Sequence, residues 1–238
     1  MADVILYDLP SKGRCACWSL NPWKPRLILN LKGIPYKTEW IEYPDLAPTL
    51  KAFGIPPNPE GSQYTSPTVR IGDKYVMDSK NIAVELERHY PSPSLHLDLP
   101  VLPKVQEIIN TSFQSSLRGV LMPKIPSKLL TPGSAPFWIA KREKEFGMPL
   151  PQLEKETNVD NAWEKATPGM EALGALLKAD GGPFILGKVV SYADLIIVAA
   201  LHCIRRVGEE NYERAVAIEP ALGTLYEVSK AWLERDDH

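Results

Sequence analysis

Residues 19–42 read Ser19-Leu-Asn-Pro-Trp-Lys-Pro-Arg-Leu-Ile-Leu-Asn-Leu-Lys-Gly-Ile-Pro-Tyr-Lys-Thr-Glu-Trp-Ile-Glu42. Trp23, Leu27, Ile28 and Leu31 recur at helical spacing, and Lys24, Arg26, Asn30 and Lys32 take the other face. Pro22 suits a first helical position, because the hydrogen it lacks would go unpaired there. Gly33 stops the helix and Pro35 follows it. From Tyr36 to Glu42 the period changes to two, so a strand is expected with Tyr36, Thr38, Trp40 and Glu42 on one face. Upstream, Val4-Ile-Leu-Tyr7 reads as a short buried strand, followed by a loop over 10–21. The unit is therefore strand, loop, helix, strand.

Further along, Leu46, Leu50 and Phe53 suggest one or two helical turns before an irregular proline-rich loop. Thr68–Ile71 and Lys74–Met77 flank Gly72-Asp73, the pattern of a hairpin with a two-residue turn. Asp78 or Ser79 then caps a helix whose buried stripe is Ile82, Ala83 and Leu86. The rest contains no convincing strand. Ile108, Ile109, Phe113, Leu117, Val120 and Leu121 fit a long helix. Helical patterns return at about 158–179, 191–207 and 220–234. Residues 122–152 hold six prolines and are expected to be irregular or broken. The expected architecture is α/β plus all-α: a βαβαββα domain over 1–90, a linker over 91–103 and an all-helical domain over 104–238.

Composition sets outer bounds. Apolar residues make up 44% and charged residues 24%, both near the globular average. Lys+Arg is 27 against Asp+Glu 29, with no basic run, so a nucleic-acid partner is not expected. Three cysteines are too few for a disulfide framework. The N-terminus shows no basic stretch leading into a long apolar one, and no apolar run reaches the ~20 residues of a membrane helix. A cytoplasmic protein with no membrane partner is expected. The unusual count is 23 prolines, about twice the average usage of ~5%.

Three features carry chemistry. Ser66-Pro67 stands at the hairpin entrance, where proline costs no ladder hydrogen bond. Asp78-Ser79 stands at a helix start, where a hydroxyl and free N–H groups suit a carboxylate and Asp78 suits an amino group. Ser19 precedes the first helix, whose positive end would stabilise a thiolate held near it. Alone, each has a plainer meaning: a trans proline, a simple cap pair and a loop serine.

In combination, the order of elements is thioredoxin-like, and nearly the whole chain resembles a cytosolic glutathione transferase. The resemblance rests on Lys24–Tyr36, Ser66-Pro67-Thr-Val, Asp78-Ser79-Lys-Asn-Ile82 and Phe184–Leu195. The family patterns are K-x-R-x-x-L-x-x-K-G-I-x-Y, V-P-x-L, E-S-x-x-I and L-x-G-x-x-x-[ST]-x-A-D. Ser66 stands where the pattern has valine and Asp78 where it has glutamate. The segment Ser19-Leu-Asn-Pro-Trp-Lys-Pro-Arg26 resembles the fungal etherase-like (FuA) class and the bacterial β-etherases. The last motif also fits a capping box between Ser191 and Asp194, a structural device.

The resemblance implies glutathione as co-substrate, no metal, and a homodimer acting on hydrophobic, mostly aromatic, electrophiles. A non-catalytic carrier of aromatic compounds is the alternative. Ser19 stands 14 residues before Gly33, the interval between reactive residue and glycine in the cysteine-type omega enzymes. Tyr7, at 26 residues, is too far, and Cys15 and Cys17 miss the position. A serine there cannot form a mixed disulfide, but it can hydrogen-bond the glutathione thiolate, with Asn21 in support. Ser66 and Pro67 are then expected to hold the cysteinyl part, and Asp78 and Ser79 the γ-glutamyl end. Lys51 or Gln63 is expected at the glycyl carboxylate. Phe113, Leu117 and Leu121 are the candidates for the hydrophobic substrate site.

Overall fold

The computed structural model describes residues 3–237. It divides into two compact units. The first comprises residues up to Ser94 together with Leu130–Trp138 and the segment from Trp232 onward; the second comprises Leu95–Leu129 and Ile139–Ala231.

The first unit runs β1 (Val4–Asp8), α1 (Leu20–Leu31), β2 (Lys37–Trp40), α2 (Tyr43–Ala52), β3 (Thr68–Ile71), β4 (Lys74–Met77) and α3 (Ser79–His89). The sheet order is β2-β1-β3-β4, with β1 parallel to β2 and antiparallel to β3. This is the expected βαβαββα order. Ile71 pairs with Lys74 across Gly72, whose φ of 60° a two-residue turn requires and glycine adopts without steric cost. Leu6, Leu27, Ile28, Val69, Ile82 and Leu86 are all fully buried.

A buried ion pair sits within this core. Arg26 Nη2 donates to Asp8 Oδ2 at 2.9 Å, and both side chains are 0% exposed. The guanidinium also donates to Tyr36 and Thr38 and lies over the Trp40 ring. Asp8 Oδ1 accepts the Leu9 N–H. The pair thus joins the end of β1 to α1 and β2.

Helix α1 begins two residues earlier than expected. Pro22 is its third residue, still within the first turn, where no N–H has an intrahelical partner. The expected linker also needs correction. The second unit begins at Leu95, and segments 130–138 and 232–237 belong to the first unit. Periodicity describes a segment's own faces and not the surface on which it packs, so these returns were invisible in it. Glu42 holds the first: its carboxylate accepts from the hydroxyls of Thr131 (2.6 Å) and Ser134.

The second unit is helical: α4 (Leu102–Ile108) continuing through a π-helical stretch (Ile109–Ser115), α5 (Arg118–Leu121), α6 (Ile125–Lys128) and α7 (Ala135–Phe146), whose first turn lies in the first unit. Then follow α8 (Leu150–Glu156), α9 (Val159–Ala179), α10 (Tyr192–Val207), α11 (Glu209–Ile218) and α12 (Pro220–Val228). Of the expectation that 122–152 is irregular or broken, the second part holds: the segment is a series of short helices separated by non-helical residues at 129–134 and 147–149. Pro126, Pro136 and Pro151 each stand second in α6, α7 and α8, and Pro149 is the N-cap of α8. Proline has no N–H to lose in a first turn and its φ is already helical. Pro123 likewise stands second in the 3-10 turn Met122–Lys124, and Pro132 lies in the break before α7.

Helix α10 is the centre of this unit, with every residue from Tyr192 to Leu201 buried. Its capping box forms, and Asp194 also accepts from the Ile185 N–H at 2.9 Å. Near its C-terminal end, His202 Nδ1 lies 2.6 Å from the Tyr226 hydroxyl. Burial, with Arg206 and Arg205 nearby, pulls His202 down from 6.5 to about 3. Between those values the unfolded chain binds a proton that the folded chain does not, so stability rises with pH from about 3 to about 6.5. His202→Gln should flatten that rise in urea unfolding at pH 4.5 and 6.5, and equal slopes in both proteins would refute it.

Candidate active site

Helix α1 and helix α3 begin beside one cleft of the first unit. The cleft, about 160 Å³, is lined by Asn21, Asn58, Glu60, Ser62, Thr65, Ser66, Pro67, Asp78 and Ser79. Five residues expected from the sequence thus meet there: Asn21, Ser66, Pro67, Asp78 and Ser79.

The local chemistry explains how each is placed. The Ser66–Pro67 peptide is cis, and the Asp78 N–H donates to the Pro67 carbonyl at 3.3 Å. The Ser66 hydroxyl is buried without a hydrogen-bond partner, an exception to the rule that buried polar atoms are paired. Asp78 takes a φ of 79° and caps α3: its Oδ1 accepts from the Lys80 N–H (2.9 Å) and the Asn81 N–H (3.4 Å). Both caps fall on Oδ1, so Oδ2 remains for the cleft. Ser79 is the first residue of α3 and is buried.

Ser19 is the N-cap of α1, two residues before Asn21, and is half-buried. Serine at an N-cap ordinarily bonds the helix N–H groups. Here its hydroxyl makes no capping bond, so this donor stands uncommitted at the positive end of α1. Asn21 accepts from Lys24 Nζ at 2.9 Å through Oδ1, which leaves its amide N–H₂ as a donor on the cleft wall.

The loop leading to Ser19 is strapped by the end of the chain. The Cys17 N–H donates to the Asp236 carbonyl at 2.8 Å, and Arg14 pairs with Asp236 and Asp237 at 2.5 and 2.6 Å. Asn30 donates to the carbonyls of Trp232 and Arg235. Local periods carry no trace of this strap, because it joins residues about 220 positions apart.

The rival residues are elsewhere occupied. Tyr7 is 3% exposed and packs against Phe53 and Tyr75, with ring centroids 5.1 and 6.0 Å away. Burial raises its phenol further from ionisation. Burial likewise raises the thiols of Cys15 and Cys17, the latter strongly.

Models of the glutathione S-transferase N-terminal domain and C-terminal domain match residues 18–89 and 104–227. The chain belongs to the glutathione S-transferase family. Glutathione S-transferase-like protein ustS of Aspergillus flavus is 29% identical over 93% of this chain and 87% of its own length. A transferase of Ceriporiopsis subvermispora, CsGST63524, solved in complex with glutathione, is 29% identical over 97% of both chains with a TM-score of 0.85. GSTFuA2 of Phanerochaete chrysosporium is 26% identical over the full length of both, with a TM-score of 0.88.

Other residues expected at the site lie outside the cleft. Lys51 is exposed in the last turn of α2 and Gln63 is exposed in the preceding loop of β3; neither lines the cleft. The Gln63 carbonyl is used by the Asn58 N–H at 2.8 Å. Phe113, Leu117 and Leu121 need correction as a substrate surface. They are 2%, 0% and 6% exposed, because the apolar stripe that marked them is the core-facing stripe of the second unit. Asn58, Glu60, Ser62 and Thr65 were missed. They belong to a loop without period, ordered by Asn58 bonds to Ser62 and Thr65. Among the described residues no group of three or more His, Cys, Asp or Glu is gathered for a metal, and no helix is long and apolar enough to cross a membrane.

Proposed function

We propose that this protein is a serine-type glutathione transferase acting on hydrophobic, mostly aromatic, electrophiles. The observation that carries the reading is the Ser19 hydroxyl, set at the N-cap of α1 and not spent on capping. A donor beside the positive end of a helix favours a thiolate over a thiol. The thiol proton leaves to solvent, the sulfur forms a bond to the electrophilic carbon, and the leaving group departs with its electron pair. The Asn21 amide supplies a second donor close by.

Ser19 is not on the wall of the cleft, but stands two residues before Asn21, which is, and the cleft suits the rest of the tripeptide. The backbone of Ser66, before cis-Pro67, would hold the cysteinyl part, Asp78 Oδ2 the γ-glutamyl ammonium, and Ser79 with the N–H groups of α3 its carboxylate. That the transferase of Ceriporiopsis subvermispora was solved with glutathione supports this ligand. The reading includes a homodimeric, cytoplasmic protein.

The direct test is a melting titration with glutathione. At 100 times its Kd the ligand should add ~2.7 kcal/mol of stability. No shift in Tm up to millimolar glutathione would refute the reading. Binding without turnover over a broad panel of aromatic electrophiles would make the protein a carrier.

A further inference from the structure

Lys24 stands in the second turn of α1, outside every role assigned so far. Its ammonium donates to Asn21 Oδ1 at 2.9 Å, which draws the side chain back toward the N-terminal end of the helix. That end is already positive, and its first turn holds no acidic residue to balance it. Lys24 has no carboxylate bonded to it among the described residues; the ammonium is bonded to the neutral amide of Asn21. The cation is therefore placed where the helix itself calls for an anion. Burial agrees, lowering its pKa to about 8, while the Asp78 carboxylate acts in the opposite direction.

Asp78 is thus within electrostatic range of Lys24, and its Oδ2 remains uncommitted after Oδ1 caps α3. Asn21, Asp78 and Ser79 line one cleft. Lys24 is not itself on the cleft wall, but its bond to Asn21 Oδ1 ties its ammonium to a lining residue of the same cleft that holds the Asp78 carboxylate and the start of α3. The complement of Lys24 and Asp78 is an ammonium and a carboxylate on neighbouring atoms, as on the α-carbon of an amino acid.

We propose that Lys24 receives the α-carboxylate of the γ-glutamyl end of glutathione, opposite the ammonium held by Asp78. The inference rests on the glutathione reading above and adds to it a specificity-determining residue.

A chemical cycle tests it. The Kd values of the native protein and of Lys24→Met are measured by calorimetry with glutathione and with γ-aminobutyryl-cysteinyl-glycine, which lacks only that carboxylate. The native protein should bind the analogue at least about tenfold more weakly, the loss of a charge-assisted bond. Lys24→Met should weaken glutathione severalfold and leave the analogue unchanged, so that the gap between the two peptides narrows to what Ser79 and the α3 N–H groups still supply. Lys24→Arg, which keeps the charge, should retain the discrimination, and Lys24→Gln replaces the methionine variant if that one does not fold. The bound-thiol pKa is read alongside from thiolate absorbance, because Lys24 also bonds Asn21. Equal weakening of both peptides, no weakening of either, or a raised thiol pKa with unaltered discrimination would overturn the assignment. If the native protein binds neither peptide, the glutathione reading itself falls. If it binds glutathione and Lys24→Met is indifferent, only the role of Lys24 falls.

Discussion

Arg26→Met is expected to cost about 3–5 kcal/mol of folding stability, the largest effect of any single side chain considered. The reason is an asymmetry. Asp8 and Arg26 are both 0% exposed and pair at 2.9 Å. Removing the cation leaves a carboxylate in the core with no counter-charge, and also strips donors from Thr38 and Tyr36. Replacing both partners by apolar residues of similar size removes that penalty, so Asp8→Leu/Arg26→Met should be more stable than Arg26→Met alone. Denaturant unfolding of the two variants decides. A single variant within ~1 kcal/mol of the native protein, or a double variant no better than the single, would show that the pair does not hold the first unit in this way.

Ser19→Ala should lower kcat/KM for conjugation by about 10²–10³, the usual cost of losing one donor aimed at a reacting anion. The same substitution should leave stability within about 0.5 kcal/mol. That combination is unusual for an N-cap serine, whose loss ordinarily costs about 0.5–2 kcal/mol. It follows here because the Ser19 hydroxyl makes no bond to its helix. The bound glutathione thiol should also titrate at higher pH in the variant. Turnover within twofold of the native protein would remove Ser19 from the chemistry. A large loss of stability would mean that the hydroxyl caps α1 after all.

Much of the first unit was legible because its signals are local. The change of period between Leu31 and Lys37, with Gly33 and Pro35 between, marks a helix and a strand. The Gly72 turn sets the hairpin register, since Ile71 and Lys74 pair across it. Asp78 and Ser79 were readable as a helix start, and helix starts gather anions whatever the fold. Tertiary context decided differently for the prolines of 122–152. Their first-turn positions depend on where each helix begins, and short helices carry too few residues for a period to show that.

The order of elements, the cap residues and the placing of Ser19 before a helix are written in the local pattern of the chain. Each of these follows from interactions within a few residues along the chain. Only the tertiary structure decided which apolar stripes are core, so that Phe113, Leu117 and Leu121 face inward. It also decided that residues 130–138 and 232–237 return to the first unit, where Glu42 and Arg14 hold them. And it turned Lys24 back toward Asn21 and within range of Asp78. These contacts join residues from 3 to more than 220 positions apart, and at all but the shortest separation a contact is set by the packing of whole elements, on which local pattern is silent.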